Sequence, residues 1–244
     1  MILYLTSSPC IDGADRAILN PANGFVQRLK ADLPQNPRCL FIASSPEDRP
    51  RTCEFGSHMF LAFAEAGMPF SDYRILDGQN SANAAELIEQ SDLIILAGGH
   101  VPTQNRFFQD IRLQELLEEY PGVILGISAG SMNCAALVYA QPEVPGESLD
   151  PDYHRFLPGL GLTKLRILPH YQKERHMILD GQRLYEDITY YDSYAHTFYA
   201  LPDGSYFYIH DEHTLLCGRA YRLRNGILEL LTEDNEMLPF PEML

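Results

Sequence analysis

The chain has 244 residues and a formal net charge of −15, from 18 basic and 33 acidic side chains. That charge argues against a nucleic-acid partner, whose phosphates require lysine and arginine, and the length suits one open α/β domain over 1–244. Five cysteines at 10, 39, 53, 134 and 217, odd in number and without paired spacing, read as reduced thiols of a cytoplasmic protein. The N-terminus runs straight into Ile2-Leu3-Tyr4-Leu5, without a basic leader region. No apolar run nears the roughly 18 residues that span a membrane.

Ile2 to Thr6 is a short apolar strand, and Ser7 to Asn20 a polar loop. Asn20-Pro21 reads as a helix cap followed by Pro at the first helical position. Phe25, Val26, Leu29 and Leu33 then recur at helical spacing, up to the prolines at 34 and 37. Cys39 to Ala43 is a second strand. The polar loop from Ser44 to Arg51 leads to a helix from Phe55 to Ala66, closed by Gly67. Tyr73 to Leu76 is a third strand, and Ala84 to Ile88 a short helix capped by Ser81 or Asn83. Leu93 to Ala97 is a continuous apolar run, as expected of a buried strand. Gly98-Gly99 follows, then a helix from about Pro102 to Glu119.

This alternation, with strands apolar on both faces, predicts a mostly parallel sheet covered by helices on both sides. Ligands of such sheets sit at the carboxyl ends of the strands. The loops after Leu93–Ala97 and after Val123–Ile127 therefore matter most.

Val123 to Ile127 is an apolar run that ends in Gly126-Ile127-Ser128-Ala129-Gly130. G-x-S-x-G between a strand and a helix is a nucleophile elbow, in which a sharp turn pushes the serine hydroxyl outward. The residues from Ala129 to Val138 favour a helix, so Ser128 should stand at its N-terminus, where free N–H groups can stabilise an oxyanion.

The second half is less regular. Pro142 to Pro158 reads as a long loop. Leu165 to Leu168 is a short strand ending in Pro169-His170, and Arg175 to Tyr190 has helical spacing. Thr197 to Leu201, Tyr206 to His210 and Leu215 to Cys217 are late strands. Tyr221 to Leu231 is a hairpin turning at Asn225-Gly226.

A serine needs a base, and the base needs an orienting carboxylate. Eight histidines are available. His170 is favoured because its strand end would share the edge that displays Ser128, and His100, after the Gly-Gly turn, is the nearest rival. Asp203, in Leu201-Pro202-Asp203-Gly204, competes with Asp192, Asp211 and Glu212 for the third place; Pro-Asp-Gly is also an ordinary turn sequence. His210 and His213 have metal-like spacing but no third partner, and no metal or cofactor is expected. Cys134 falls six residues past the elbow serine, inside the expected helix.

Four features in order resemble the S51 family of serine peptidases, which includes dipeptidase E and cyanophycinase. They are Leu96-Ala97-Gly98-Gly99, the elbow from Gly126 to Ser131, Leu168-Pro169-His170-Tyr171, and Leu201-Pro202-Asp203-Gly204. The resemblance implies the class I glutamine-amidotransferase-like, flavodoxin-like α/β fold, with late β-hairpins added. It implies Ser128 as nucleophile, His170 as base and Asp203 as orienting acid, with the N–H groups of Gly99 and Ala129 as the oxyanion hole. Dipeptidase E carries glutamate where Asp203 stands, one methylene longer. Its Gly-Gly-Gly-Asn loop differs from the present one, which has Ala97 before the glycines and His100 after them. The implied substrate is a short peptide with an aspartyl group. A pocket for it would draw on His100, Gln104, Arg106 and Tyr171, with Lys173 and Arg175 as further basic candidates. Two other readings stay open. One is an α/β-hydrolase esterase using Asp192 with His196 or His210. The other is a non-catalytic relative that binds a small ligand.

Overall fold

The computed structural model describes residues 1–240. In chain order the first half runs β1 (Ile2–Thr6), α1 (Phe25–Asp32), β2 (Arg38–Ile42), α2 (Arg49–Glu65), β3 (Asp72–Leu76), α3 (Ala84–Glu89), β4 (Leu93–Leu96), α4 (Val101–Asp110), α5 (Leu113–Leu117), β5 (Val123–Ile127) and α6 (Ala129–Asn133). The second half runs β6 (Leu137–Tyr139), β7 (Phe156–Pro158), β8 (Ile167–Leu168), α7 (Tyr171–Glu174), β9 (Ile178–Leu179), β10 (Gln182–Arg183), α8 (Tyr190–Asp192), β11 (Phe198–Ala200), β12 (Tyr206–His210), β13 (His213–Cys217), β14 (Ala220–Arg224), β15 (Ile227–Thr232) and β16 (Met237–Phe240).

The central sheet has eight strands in the order β16-β13-β12-β1-β5-β4-β2-β3. From β1 to β3 the pairing is parallel, while β12, β13 and β16 join antiparallel. Strand alternation decides which helices cover which face. Tyr4, Phe41, Ile95 and Leu125 pack with Phe25 and Leu29 of α1 and Met59 and Phe63 of α2. Leu3, Leu5, Ile42 and Leu96 point the other way, into Leu87 of α3, Phe107 and Phe108 of α4, and Met132 of α6. The α/β architecture with a mostly parallel sheet thus follows from strands apolar on both sides. A second sheet, β15-β14-β11-β8, with β8 and β11 parallel, packs Ile167 and Tyr199 into the same core as Leu3, Leu5 and Phe207 of the first.

Several segments depart from the sequence-based expectation. The helix after the elbow stops at Asn133, because Leu137–Tyr139 pairs with Phe156–Pro158 as a strand. Strand pairing there outweighs the helix propensity of Ala135 and Ala136, and it also ends the supposed loop at β7. The helix expected from Pro102 to Glu119 breaks at Arg112, whose φ is 53°. The helix expected from Arg175 to Tyr190 is replaced by the β9–β10 hairpin and a π-type helical stretch, Leu184–Thr189. The cause is Asp180-Gly181, both left-handed (φ 52° and 82°), a hairpin dipeptide hidden within apolar spacing. Asn20 does accept the Ala22 N–H, but Asn23 and Gly24 turn left-handed and delay α1 to Phe25. Helix α2 begins before Phe55, because Asp48 caps it through the Arg51 N–H and Pro50 fits its first turn.

The elbow is packed against backbone. A Cβ on Gly130 would lie 2.2 Å from the Leu96 carbonyl oxygen, which no side-chain rotation can relieve. Gly130→Ala should therefore cost about 1–3 kcal/mol or more, as overpacking does. A urea-denaturation midpoint measures it, and a midpoint unchanged from wild type would contradict this packing.

Candidate active site

The β5 strand ends against β1 and β4, so Ser128 emerges beside Thr6-Ser7 and Gly98-Gly99. Its backbone takes φ 49°, ψ −110°, a sparsely populated region for a residue with a side chain. Neighbouring groups hold it there. The Ser128 N–H donates to the carbonyls of Thr6 and Ser7, both at 3.1 Å. The Ser131 hydroxyl donates to the Thr6 carbonyl, and the Thr6 hydroxyl to the Gly126 carbonyl. The Ala129 N–H, at the start of α6, has no intrahelical acceptor. Gly99 has φ 156°, and a Cβ there would come within 2.3 Å of the Ser44 hydroxyl, so only glycine fits that place.

His170 and Asp203 arrive from the second sheet, just past the ends of β8 and β11. His170 Nε2 lies 3.0 Å from Ser128 Oγ, and Nδ1 lies 2.6 Å from Asp203 Oδ1. The shorter aspartate reaches the ring without help. Three further donors converge on the same carboxylate. The Ser7 hydroxyl donates to Oδ1 at 2.8 Å, the Gln172 amide to Oδ2 at 2.6 Å, and Lys173 Nζ approaches at 3.4 Å. Ser7 also accepts the His170 N–H at 2.7 Å, so one buried hydroxyl fixes both members. Burial alone would raise the Asp203 pKa. The His170 hydrogen bond and charge, with Ser7 and Gln172, outweigh burial and hold it at about 2.

The other residues singled out from the sequence are not brought to Ser128. His100 is tied to Thr103 Oγ1 and Glu147 Oε1, each at 2.7 Å. Gln104 is fully buried; its amide donates to the Ala97 carbonyl and accepts from Asn133, so it braces the glycine loop from within. Arg106 is exposed on α4, and Tyr171 is buried against Tyr185 and Tyr221. None of the four lines a cavity beside Ser128. Lys173 is engaged by Asp12, and Arg175 lies over the Tyr171 ring. Asp192 is taken by Arg155 and Tyr139, and His210 pairs with Ile2 at the opposite end of the sheet. The esterase order therefore finds neither its acid nor this base at the serine.

Two cavities flank the Ser128–His170 pair. The larger, about 490 Å³, is bordered by Ser44, Arg51, Thr52, His58 and Gly98. The smaller, about 160 Å³, is bordered by Met132, Gln141, Glu143, Glu174 and Met177. Arg51 has no carboxylate partner among the described residues and was not singled out from the sequence. Its position in the first turn of α2, the helix that follows β2 at the ligand-bearing edge of a parallel sheet, was the available signal. Ser7, the first residue after β1 on the same edge, was likewise not singled out from the sequence.

Residues 4–217 match the family model for peptidase family S51. The chain belongs to peptidase family S51. As a member it is a serine peptidase, and the Ser128 elbow lies within the matched region. Its fold is also that of a crystal structure described as "Putative Peptidase E Protein from Listeria monocytogenes EGD-e", at 16% identity and a TM-score of 0.59, covering 95% of this chain and 98% of that one. No curated protein matches the sequence.

The depressed Asp203 pKa carries a stability prediction. Its unfolded pKa is near 3.8 and its folded one about 2, so the ionised form stabilises the S51 fold above pH ~4. That contribution, on the order of 2 kcal/mol, is lost as pH falls from about 4 through 2. Denaturant titrations at pH 7, 4 and 2 should show the loss in wild type and a smaller one in Asp203→Asn. Equal acid sensitivity would contradict the assignment.

Proposed function

We propose that Ser128, His170 and Asp203 act as a catalytic triad that hydrolyses short peptides at a bond next to an acidic residue. The observation that carries this reading is the continuous contact from Ser128 Oγ to His170 Nε2 (3.0 Å) and from Nδ1 to Asp203 (2.6 Å). Ser128 Oγ attacks the peptide carbonyl carbon, and its proton passes to His170 Nε2. The oxyanion turns toward the N–H groups of Gly99 and Ala129, which lie on either side of the serine. His170 then gives the proton to the departing amine as the C–N bond breaks, leaving an acyl-serine. Water repeats the sequence and returns the proton to Ser128. Asp203 stays ionised throughout and keeps the ring oriented with Nδ1–H toward it.

Preference for an acidic residue is supported by charge. Arg51 borders the larger of the two cavities at Ser128, together with Glu54, with which it forms no ion pair, in a chain of net charge −15. A substrate carboxylate would replace the acidic partner that this guanidinium lacks. Arg51 thus takes the role the sequence suggested for Arg106, Lys173 or Arg175.

A panel of dipeptides and tripeptides varied at the first residue tests both parts. Ser128→Ala should remove hydrolysis of every peptide, by as much as ~10⁶ in kcat, as in other serine peptidases. Arg51→Met should raise KM for aspartyl peptides about tenfold or more, one charge-assisted pair, and leave neutral peptides nearly unchanged. A kcat in Ser128→Ala within about tenfold of wild type would sink the triad. An equal effect of Arg51→Met on acidic and neutral peptides would sink the preference.

A further inference from the structure

A separate cavity of about 560 Å³ lies at the opposite ends of the two strands that lead to His170 and Asp203. It opens where β8 and β11 begin, between Arg166 and Thr197, and shares no bordering residue with either cavity at Ser128. The volume is in the range of small-molecule sites, about 300–1,000 Å³. Leu165, Tyr199 and Phe240 give it an apolar wall, with the Phe240 ring edge-on to Tyr199 at 5.2 Å.

Two cationic side chains, Lys164 and Arg166, and the imidazole of His196 border this cavity, and among the described residues no aspartate or glutamate does. That reverses the overall charge of −15. Many of the arginines are met by acids, as Arg38 is by Asp92, Arg155 by Asp192 and Arg219 by Asp234, whereas Arg166, like Arg51, is not. The Arg166 guanidinium has no hydrogen-bond partner among the described residues, and its Nε is shut off from water. Buried polar groups are nearly always satisfied, so an orphaned one asks for a missing partner. The local field agrees. Burial pushes Arg166 below its ordinary range, and burial together with the Arg166 charge pushes His196 down.

We propose that this cavity binds a small organic anion, a carboxylate or phosphate on an apolar body. Arg166 holds the head group, with Lys164 and His196 beside it, and Tyr199 and Phe240 cover the body. A guanidinium suits either head group, because its planar fork can bond two oxygens at once.

Calorimetric titration of the full chain with benzoate, phenyl phosphate and benzyl alcohol tests this. At least one of the anions should bind one-to-one with a Kd below about 1 mM, and the uncharged alcohol at least about tenfold more weakly. The tighter of the two anions identifies the head group. Arg166→Met should weaken that anion about tenfold or more, whereas Arg51→Met, in the other basic cavity, should not. Should Arg166→Met fail to fold, Lys164→Met, an exposed position, should still weaken binding several-fold. The proposal is overturned if neither anion binds or if benzyl alcohol binds as well as they do. It also fails if the folded Arg166→Met, or Lys164→Met in its place, leaves affinity unchanged, or if Arg51→Met abolishes binding.

Discussion

The arrangement around Ser128 depends on one buried carboxylate and the hydroxyl that ties it down. Asp203 is almost withdrawn from water, with 7% of its side chain exposed, yet it is held ionised. An anion in such a place requires donors, and they come from two distant parts of the chain: Ser7 after β1, and His170, Gln172 and Lys173 after β8. The Ser7 bonds tie the two sheets together at the site itself, while elsewhere the sheets meet through apolar packing such as Tyr199 on Phe207. Ser128 and Ser7 belong to the central sheet, while His170 and Asp203 belong to the second. Without a fixed contact at the site, nucleophile and imidazole would share no common frame. The Ser7 hydroxyl supplies that contact twice, donating to Asp203 and accepting from the His170 backbone.

The central sheet contributes rigidity of another kind. Ser128 occupies a strained backbone region, and strain persists only where the surroundings over-determine it. Here the Thr6 and Ser7 carbonyls receive its N–H, and Gly126 and Gly130 allow backbone contacts closer than a Cβ permits. The glycine loop after β4 is braced in the same manner, from inside by Gln104 and from the side by the Ser44 hydroxyl on the Gly98 carbonyl. Gln104, which first read as pocket lining, thus belongs to the scaffold that holds the glycine loop in place.

How much of this was legible in the sequence follows from contact range. The strands from β1 to β5 and the elbow were readable because apolar runs and Gly-x-Ser-x-Gly are local signals. His170 and Asp203 stood out because each ends a strand. Ser7 gave no such sign, because the residue it meets lies 196 positions away. Gln104 looked like a polar loop residue near the site, and only the fold shows that its partners are buried. Helical spacing misled between Arg175 and Tyr190, where Asp180-Gly181 needed only two residues to reverse the chain. The strand β16 went unread because its pairing partner, β13, supplies most of its reason to be extended.

In the proposed triad, His170 makes the Ser128 hydroxyl nucleophilic. Reaction with a fluorophosphonate, followed by intact-mass and peptide mass spectrometry, reads this without a substrate. Wild type should gain a single adduct on Ser128, and His170→Ala, with its fold verified by circular dichroism, should gain none on the same timescale. An unlabelled wild type, or an adduct that forms equally fast in His170→Ala, would contradict the account.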